Sequence, residues 1–152
     1  MRRGGLFTDS TGSLHTTGFT LLELMVVMVI IGLLASYVAP RYFEQVGKGE
    51  VKSTRAQLDA FEKALGAYRL DTGRYPTTQQ GLQALVERPT NEPKWSGPYL
   101  SRALPLDPWS HEYVFRSPGD SSRDFELMSM GRDGRPGGAG LDADLSVWDS
   151  GR

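Results

Sequence analysis

Polar residues fill positions 1–18, and apolar residues then run from Phe19 to Ala39 with one charge, Glu23. A helix rises about 1.5 Å per residue, so this run of 21 residues reaches roughly 30 Å, the hydrocarbon thickness of a bilayer. Further on the pattern turns amphipathic. Val51, Arg55, Leu58, Phe61, Leu65 and Tyr68 recur at helical spacing, which places the apolar members on one face. Lys48, Glu50, Lys52, Asp59, Glu62 and Lys63 fall between them as a solvated face. Such a stripe is expected to lie on a core, here that of a small sheet. Gly47 and Gly49 weaken the helix by about 1 kcal/mol each relative to alanine, which suits a local melt there during assembly.

The segment Asp71 to Pro76 ends this helix, with Gly73 suited to the left-handed C-terminal position and Pro76 barring continuation. Thr78 to Val86 predicts a short helix that buries Leu82, Leu85 and Val86. Glu112 to Arg116 and Phe125 to Met130 predict two strands, joined as a hairpin by a turn that opens at Pro118-Gly119-Asp120.

Composition narrows the function classes. The 152 residues carry a net charge of −1 and no run of like charges, so no nucleic-acid partner is expected. Cysteine is absent, which removes disulfide staples, thiolate nucleophiles and sulfur-based zinc sites together. Trp95, Trp109 and Trp148 point to a core in the second half of the chain.

Three readings compete for the N-terminal run. A cleaved secretory signal has a shorter apolar stretch and ends on small residues, whereas this one continues to Pro40 and an amphipathic helix. A plain signal anchor, held with Arg2 and Arg3 in the cytoplasm, explains the length but not Glu23. A carboxylate in an apolar helix costs several kcal/mol unless it snorkels to the interface or is paired. Cutting after Gly18 would supply a partner, the new α-amino group of Phe19, in the same chain or in a neighbour.

Gly18-Phe19-Thr20-Leu21-Leu22-Glu23 resembles the processing site of type IV pilins and pseudopilins. Pro40 falls where that family has a helix-kinking proline. The resemblance implies removal of residues 1–18 by a prepilin peptidase, methylation of Phe19, and a role for Glu23 in assembly. It continues through Gly73-Arg74-Tyr75-Pro76, Gln80-Gly81-Leu82, Gly97-Pro98-Tyr99-Leu100, Asp107-Pro108-Trp109 and Pro118-Gly119, in the order found in the major pseudopilin of the type II secretion system. Ser110-His111 departs from the pattern, which more often has glycine after the tryptophan. That departure is expected to loosen the turn and to touch no proposed chemistry. The fold implied is α+β and type IV pilin-like. A long N-terminal helix, membrane-spanning over 19–39, packs on a small antiparallel sheet, and residues 40–152 form a periplasmic domain with a calcium-stabilised C-terminal loop.

That loop is an acidic, glycine-rich stretch over residues 129–145. Asp133, Asp142 and Asp144 alternate with glycines that free the backbone to turn carbonyls inward. Calcium takes roughly six to eight oxygen ligands in flexible geometry, while zinc is disfavoured without histidine or cysteine. The spacing fits no EF-hand. From the residues alone, a surface turn with aspartates capping local N–H groups accounts for the stretch equally well. The family resemblance implies a structural calcium site here, with Asp133, Asp142 and Asp144 as side-chain ligands and Met130 and Leu141 as carbonyl donors.

The resemblance further implies a structural subunit anchored once in the bacterial inner membrane. It would form a helical homo-oligomer, with minor pseudopilins and an inner-membrane assembly platform as partners, that drives folded proteins across the outer membrane. A type IV pilus or competence pseudopilin subunit shares the N-terminus, although the acidic loop and the lack of cysteine disfavour it. An anchored enzyme would have to use His111 beside Ser110 or Ser129, and no nucleophile motif surrounds either serine. Asp142 and Asp144 are too close in sequence, in a loop, to act as a hydrolytic pair. The glycines of 131–140 lack the lysine ending of a phosphate-binding loop. No enzymatic activity is expected.

Overall fold

The computed structural model describes residues 18–101, 103–120 and 122–149. The predicted leader, 1–18, therefore lies outside the described residues except for Gly18. The chain divides into two units, one ending at Arg41 and the other beginning at Tyr42.

In the first unit the backbone becomes helical at Leu21, where α1 (Leu21–Thr72) begins. The helix continues through Pro40, which has no N–H to give the ladder. Every large apolar side chain from Phe19 to Val38 is exposed, and those of the membrane-length run lie on all sides of the helix. This helix is long and apolar enough to cross a membrane.

In the second unit α1 supplies one wall of the core. Leu58, Phe61, Leu65 and Tyr68 are buried, as their spacing predicts. Val51 is half-buried and Arg55 exposed, while Thr54 and Ala64 join the buried face. Thr54 is tolerated there because its hydroxyl donates to the Glu50 carbonyl at 3.0 Å. The helix stops where expected: Gly73 has φ of 82° and its N–H bonds the Arg69 carbonyl at 2.8 Å.

The facing wall is a three-stranded antiparallel sheet, β1 (Val114–Arg116), β2 (Glu126–Ser129) and β3 (Leu145–Ser146), in that order. Phe115 pairs with Leu127 and Ser129 with Leu145. Phe115, Phe125, Leu127, Leu145 and Val147 close the core from this side. Both predicted strands are present but shorter, and the residue pattern alone does not mark β3, because two residues cannot show an alternation. The predicted helix over 78–86 is instead a turn followed by one 3₁₀ turn, Leu82–Leu85. Leu82 and Leu85 are buried as expected, but Val86 is only half-buried and Ala84 takes its place in the core. Gly81, at φ of 58°, breaks the backbone just before the 3₁₀ turn and prevents a longer helix.

The tryptophans fasten the long loops. Trp95 donates its indole N–H to the Ala84 carbonyl at 2.7 Å, Trp109 to the Glu50 carboxylate at 3.0 Å, and Trp148 to the Phe125 carbonyl at 3.1 Å. The rings of Trp95 and Trp109 are half-buried and that of Trp148 is exposed, and in each the polar edge finds an acceptor.

Candidate functional site

Two places carry the candidate chemistry. At the start of α1, Gly18, Phe19 and Thr20 have non-helical backbone and are exposed. The Thr20 hydroxyl accepts the N–H of Glu23 at 3.2 Å, and the Leu24 N–H bonds the Thr20 carbonyl at 3.2 Å. Thr20 is thus the N-cap of α1, and Thr20-Leu21-Leu22-Glu23 has the pattern of a capping box. Only half of the box is formed, because among the described residues the Thr20 N–H does not donate back to the Glu23 carboxylate. Glu23 also has no ion-pair partner among them. An acid on an apolar helix with no ion-pair partner among the described residues suits pairing with a group from another molecule.

The second place is the connection from β2 to β3. Turns fill residues 131–139 and a 3₁₀ turn covers Gly140–Asp142. Gly131 and Gly138, at φ of 64° and 89°, press against the backbone of Asp142, where a Cβ on either would collide. The Arg132 N–H bonds the Leu141 carbonyl at 2.9 Å, which pinches the two arms together.

The acidic side chains of this loop have different partners. Asp133 accepts from the Arg135 N–H at 3.1 Å, a local Asx turn. Asp142 is gripped by the Arg132 guanidinium at 2.9 and 3.3 Å. Asp144 accepts from the Gly137 N–H through Oδ2 at 2.9 Å, while its Oδ1 is buried without a hydrogen-bond partner. Among the described residues no three acidic or imidazole groups converge on one point. The predicted carbonyl donors Met130 and Leu141 flank the arms of the same loop. Asp144 is the residue whose geometry suits a cation, since a buried carboxylate oxygen with no donor is costly until a positive partner arrives.

His111 corrects an expectation. Ser110 takes the left-handed φ of 70° that a glycine would adopt more readily, so the turn is kept. His111 then lies against the acidic loop, with Nδ1 3.1 Å from the Gly131 carbonyl and the ring over Gly134. The buried Asp107 holds this arrangement. Its carboxylate accepts from the N–H groups of Trp109 and His111 at 3.1 and 2.8 Å and from the Ser129 hydroxyl at 2.7 Å. Asp107 went unremarked in the sequence beyond its place in Asp-Pro-Trp, and the one available signal was an aspartate at the head of a turn.

A family model described as "Type II secretion system (T2SS), protein G" matches residues 41–148, and one described as "Prokaryotic N-terminal methylation motif" matches residues 15–39. A type II secretion system core protein G from Vibrio cholerae is 47% identical over 135 residues, covering 87% of this chain and 91% of that protein. The Pseudomonas aeruginosa protein of the same description is 42% identical over 137 residues, covering 88% and 96%. The crystal structure of the major pseudopilin from the type 2 secretion system of enterohaemorrhagic Escherichia coli is also similar, at 40% identity and a TM-score of 0.56. That match covers 67% of this chain and 89% of the other. The methylation motif thus falls on Gly18, Phe19 and Glu23, and the protein G match on the unit that holds the sheet and acidic loop, so the chain belongs to the type II secretion system protein G family, that of the major pseudopilin.

Proposed function

We propose that this chain is made as an inner-membrane precursor with Arg2 and Arg3 in the cytoplasm and residues 40–152 in the periplasm. A prepilin peptidase removes residues 1–18, Phe19 is methylated, and the subunits polymerise through 19–39 into a periplasmic pseudopilus. The filament, started by minor pseudopilins on an inner-membrane platform and driven by a cytoplasmic ATPase, moves folded proteins through the outer membrane. The chain contributes assembly and no catalysis. The observation that carries this reading is the apolar helix, exposed on all sides, with Glu23 left without a partner among the described residues of its own chain. In the filament Glu23 would meet the α-amino group of a neighbouring Phe19, which offsets its desolvation and fixes the axial register.

Calcium is the proposed ion of the acidic loop. Asp144 would hold it, with Asp133 and Asp142 as further carboxylates and Met130 and Leu141 as carbonyl donors. Bound there, it supplies positive charge that ties a disulfide-free loop to the folded state. Asp142 would exchange its Arg132 partner to take part.

Replacing Glu23 by Gln separates charge pairing from helix capping, because glutamine completes a capping box and carries no charge. E23Q is expected to be cut normally, to keep the melting temperature of the globular unit, and to lose filaments and secretion. Normal filaments and secretion in cells carrying E23Q would defeat the pairing role.

A further inference from the structure

The helix that carries Glu23 starts beyond the proposed cut site. Gly18, Phe19 and Thr20 are non-helical, and the first ladder bond runs from the Leu24 N–H to the Thr20 carbonyl at 3.2 Å. The Thr20 hydroxyl takes the Glu23 N–H at 3.2 Å, which fixes the boundary at Thr20. The residues on either side would not fix it alone. Phe19 is a tolerable helix residue, and Thr17 is another cap type lying upstream. A helix begun at Thr17 would enclose the bond between Gly18 and Phe19.

We infer that Thr20 is a positioning residue for processing: by capping α1 at its own position it keeps the Gly18–Phe19 bond in non-helical backbone. The inference rests on the processing reading proposed above. Non-helical backbone leaves the Gly18 and Phe19 carbonyls free for a partner, whereas a helix begun at Thr17 would commit them to the N–H groups of Leu22 and Glu23. Among the described residues the space is also open, since a Cβ on Gly18 would meet nothing within 4 Å. In the cut itself, water oxygen bonds to the Gly18 carbonyl carbon and the C–N bond breaks. Gly18 leaves as a carboxylate, and the Phe19 nitrogen takes both protons of the water to become an α-ammonium group.

The test uses the full-length precursor in lipid bicelles with a prepilin peptidase, followed by intact mass, and compares wild type with Thr20→Val and Thr20→Ser. Valine keeps the shape and loses the hydroxyl; serine keeps the hydroxyl. T20V is expected to raise the apparent KM about fivefold, the population change that goes with losing one cap, with kcat unchanged. T20S is expected to restore the wild-type KM. Amide exchange at Leu21 and Leu22 should slow in T20V, because a helix begun at Thr17 gives their N–H groups the Thr17 and Gly18 carbonyls as partners. Wild-type KM and kcat for T20V, or faster cutting, would overturn the inference while leaving the processing reading intact. Wild-type precursor left uncut after Gly18 would remove the processing reading itself, and the inference with it.

Discussion

Gly47 of α1 lies directly under the side chain of Leu141 in the acidic loop: a Cβ at Gly47 would stand 2.6 Å from Leu141 Cδ1. The glycine that the sequence marks as a weak point of the helix is therefore a notch that seats the loop. Gly49, two residues on, faces open space: a Cβ there would meet nothing within 4 Å, and it has no such role.

This contrast separates helix propensity from packing. Gly49→Ala is expected to stabilise the globular unit by up to about 1 kcal/mol. Gly47→Ala has the same propensity gain but must displace Leu141, at a cost of about 1–3 kcal/mol for overpacking. G47A should therefore be neutral or destabilising. In a Leu141→Ala background G47A should recover the gain seen at Gly49, and urea denaturation of the four variants measures the coupling.

How much was legible follows from the same residues. The membrane-length run, the stripe Leu58, Phe61, Leu65 and Tyr68, and the stop at Gly73 each leave a local trace: length, period or a left-handed position. The seat of Leu141 on Gly47, the buried Asp107 and the strand Leu145–Ser146 depend on contacts between distant segments, and no local pattern marks them. Thr54 escaped for a different reason. Its hydroxyl is satisfied by its own helix, so a polar residue sits in the core at little cost. The acidic loop was legible as chemistry but not as geometry, since sequence alone could not say that Arg132 holds Asp142 and leaves Asp144 Oδ1 unpartnered.

Asp144 is the residue to change in testing calcium. Chelator is expected to lower the melting temperature of the soluble unit, and added calcium to restore it. Asp144→Ala should abolish that response, whereas Asp144→Asn should weaken it because one oxygen donor remains. A melt that ignores both chelator and calcium would show that Asp144 Oδ1 is satisfied in some other way.

Stability should fall at alkaline pH through Tyr113. Burial, with the Asp107 carboxylate adding to it, pushes this phenol up to about 12. Its ring stands edge-on to Phe61 with centroids 5.0 Å apart. The unfolded phenol releases its proton near its ordinary value of 10.0, before the folded one does. The stability that Tyr113 contributes is thus intact below pH 10 and lost as pH rises through its folded value near 12. Tyr68 and Tyr99, also raised by burial, act in the same direction. Denaturant titrations across this range should show the decline, and Tyr113→Phe should flatten it.

The intact mass of the membrane-bound form, taken from cells that carry a prepilin peptidase, bears most directly on the reading of the N-terminal helix. The account predicts the mass of residues 19–152 plus one methyl group, placed on Phe19 by fragmentation. A chain still carrying residues 1–18, or one cut elsewhere than after Gly18, would contradict it.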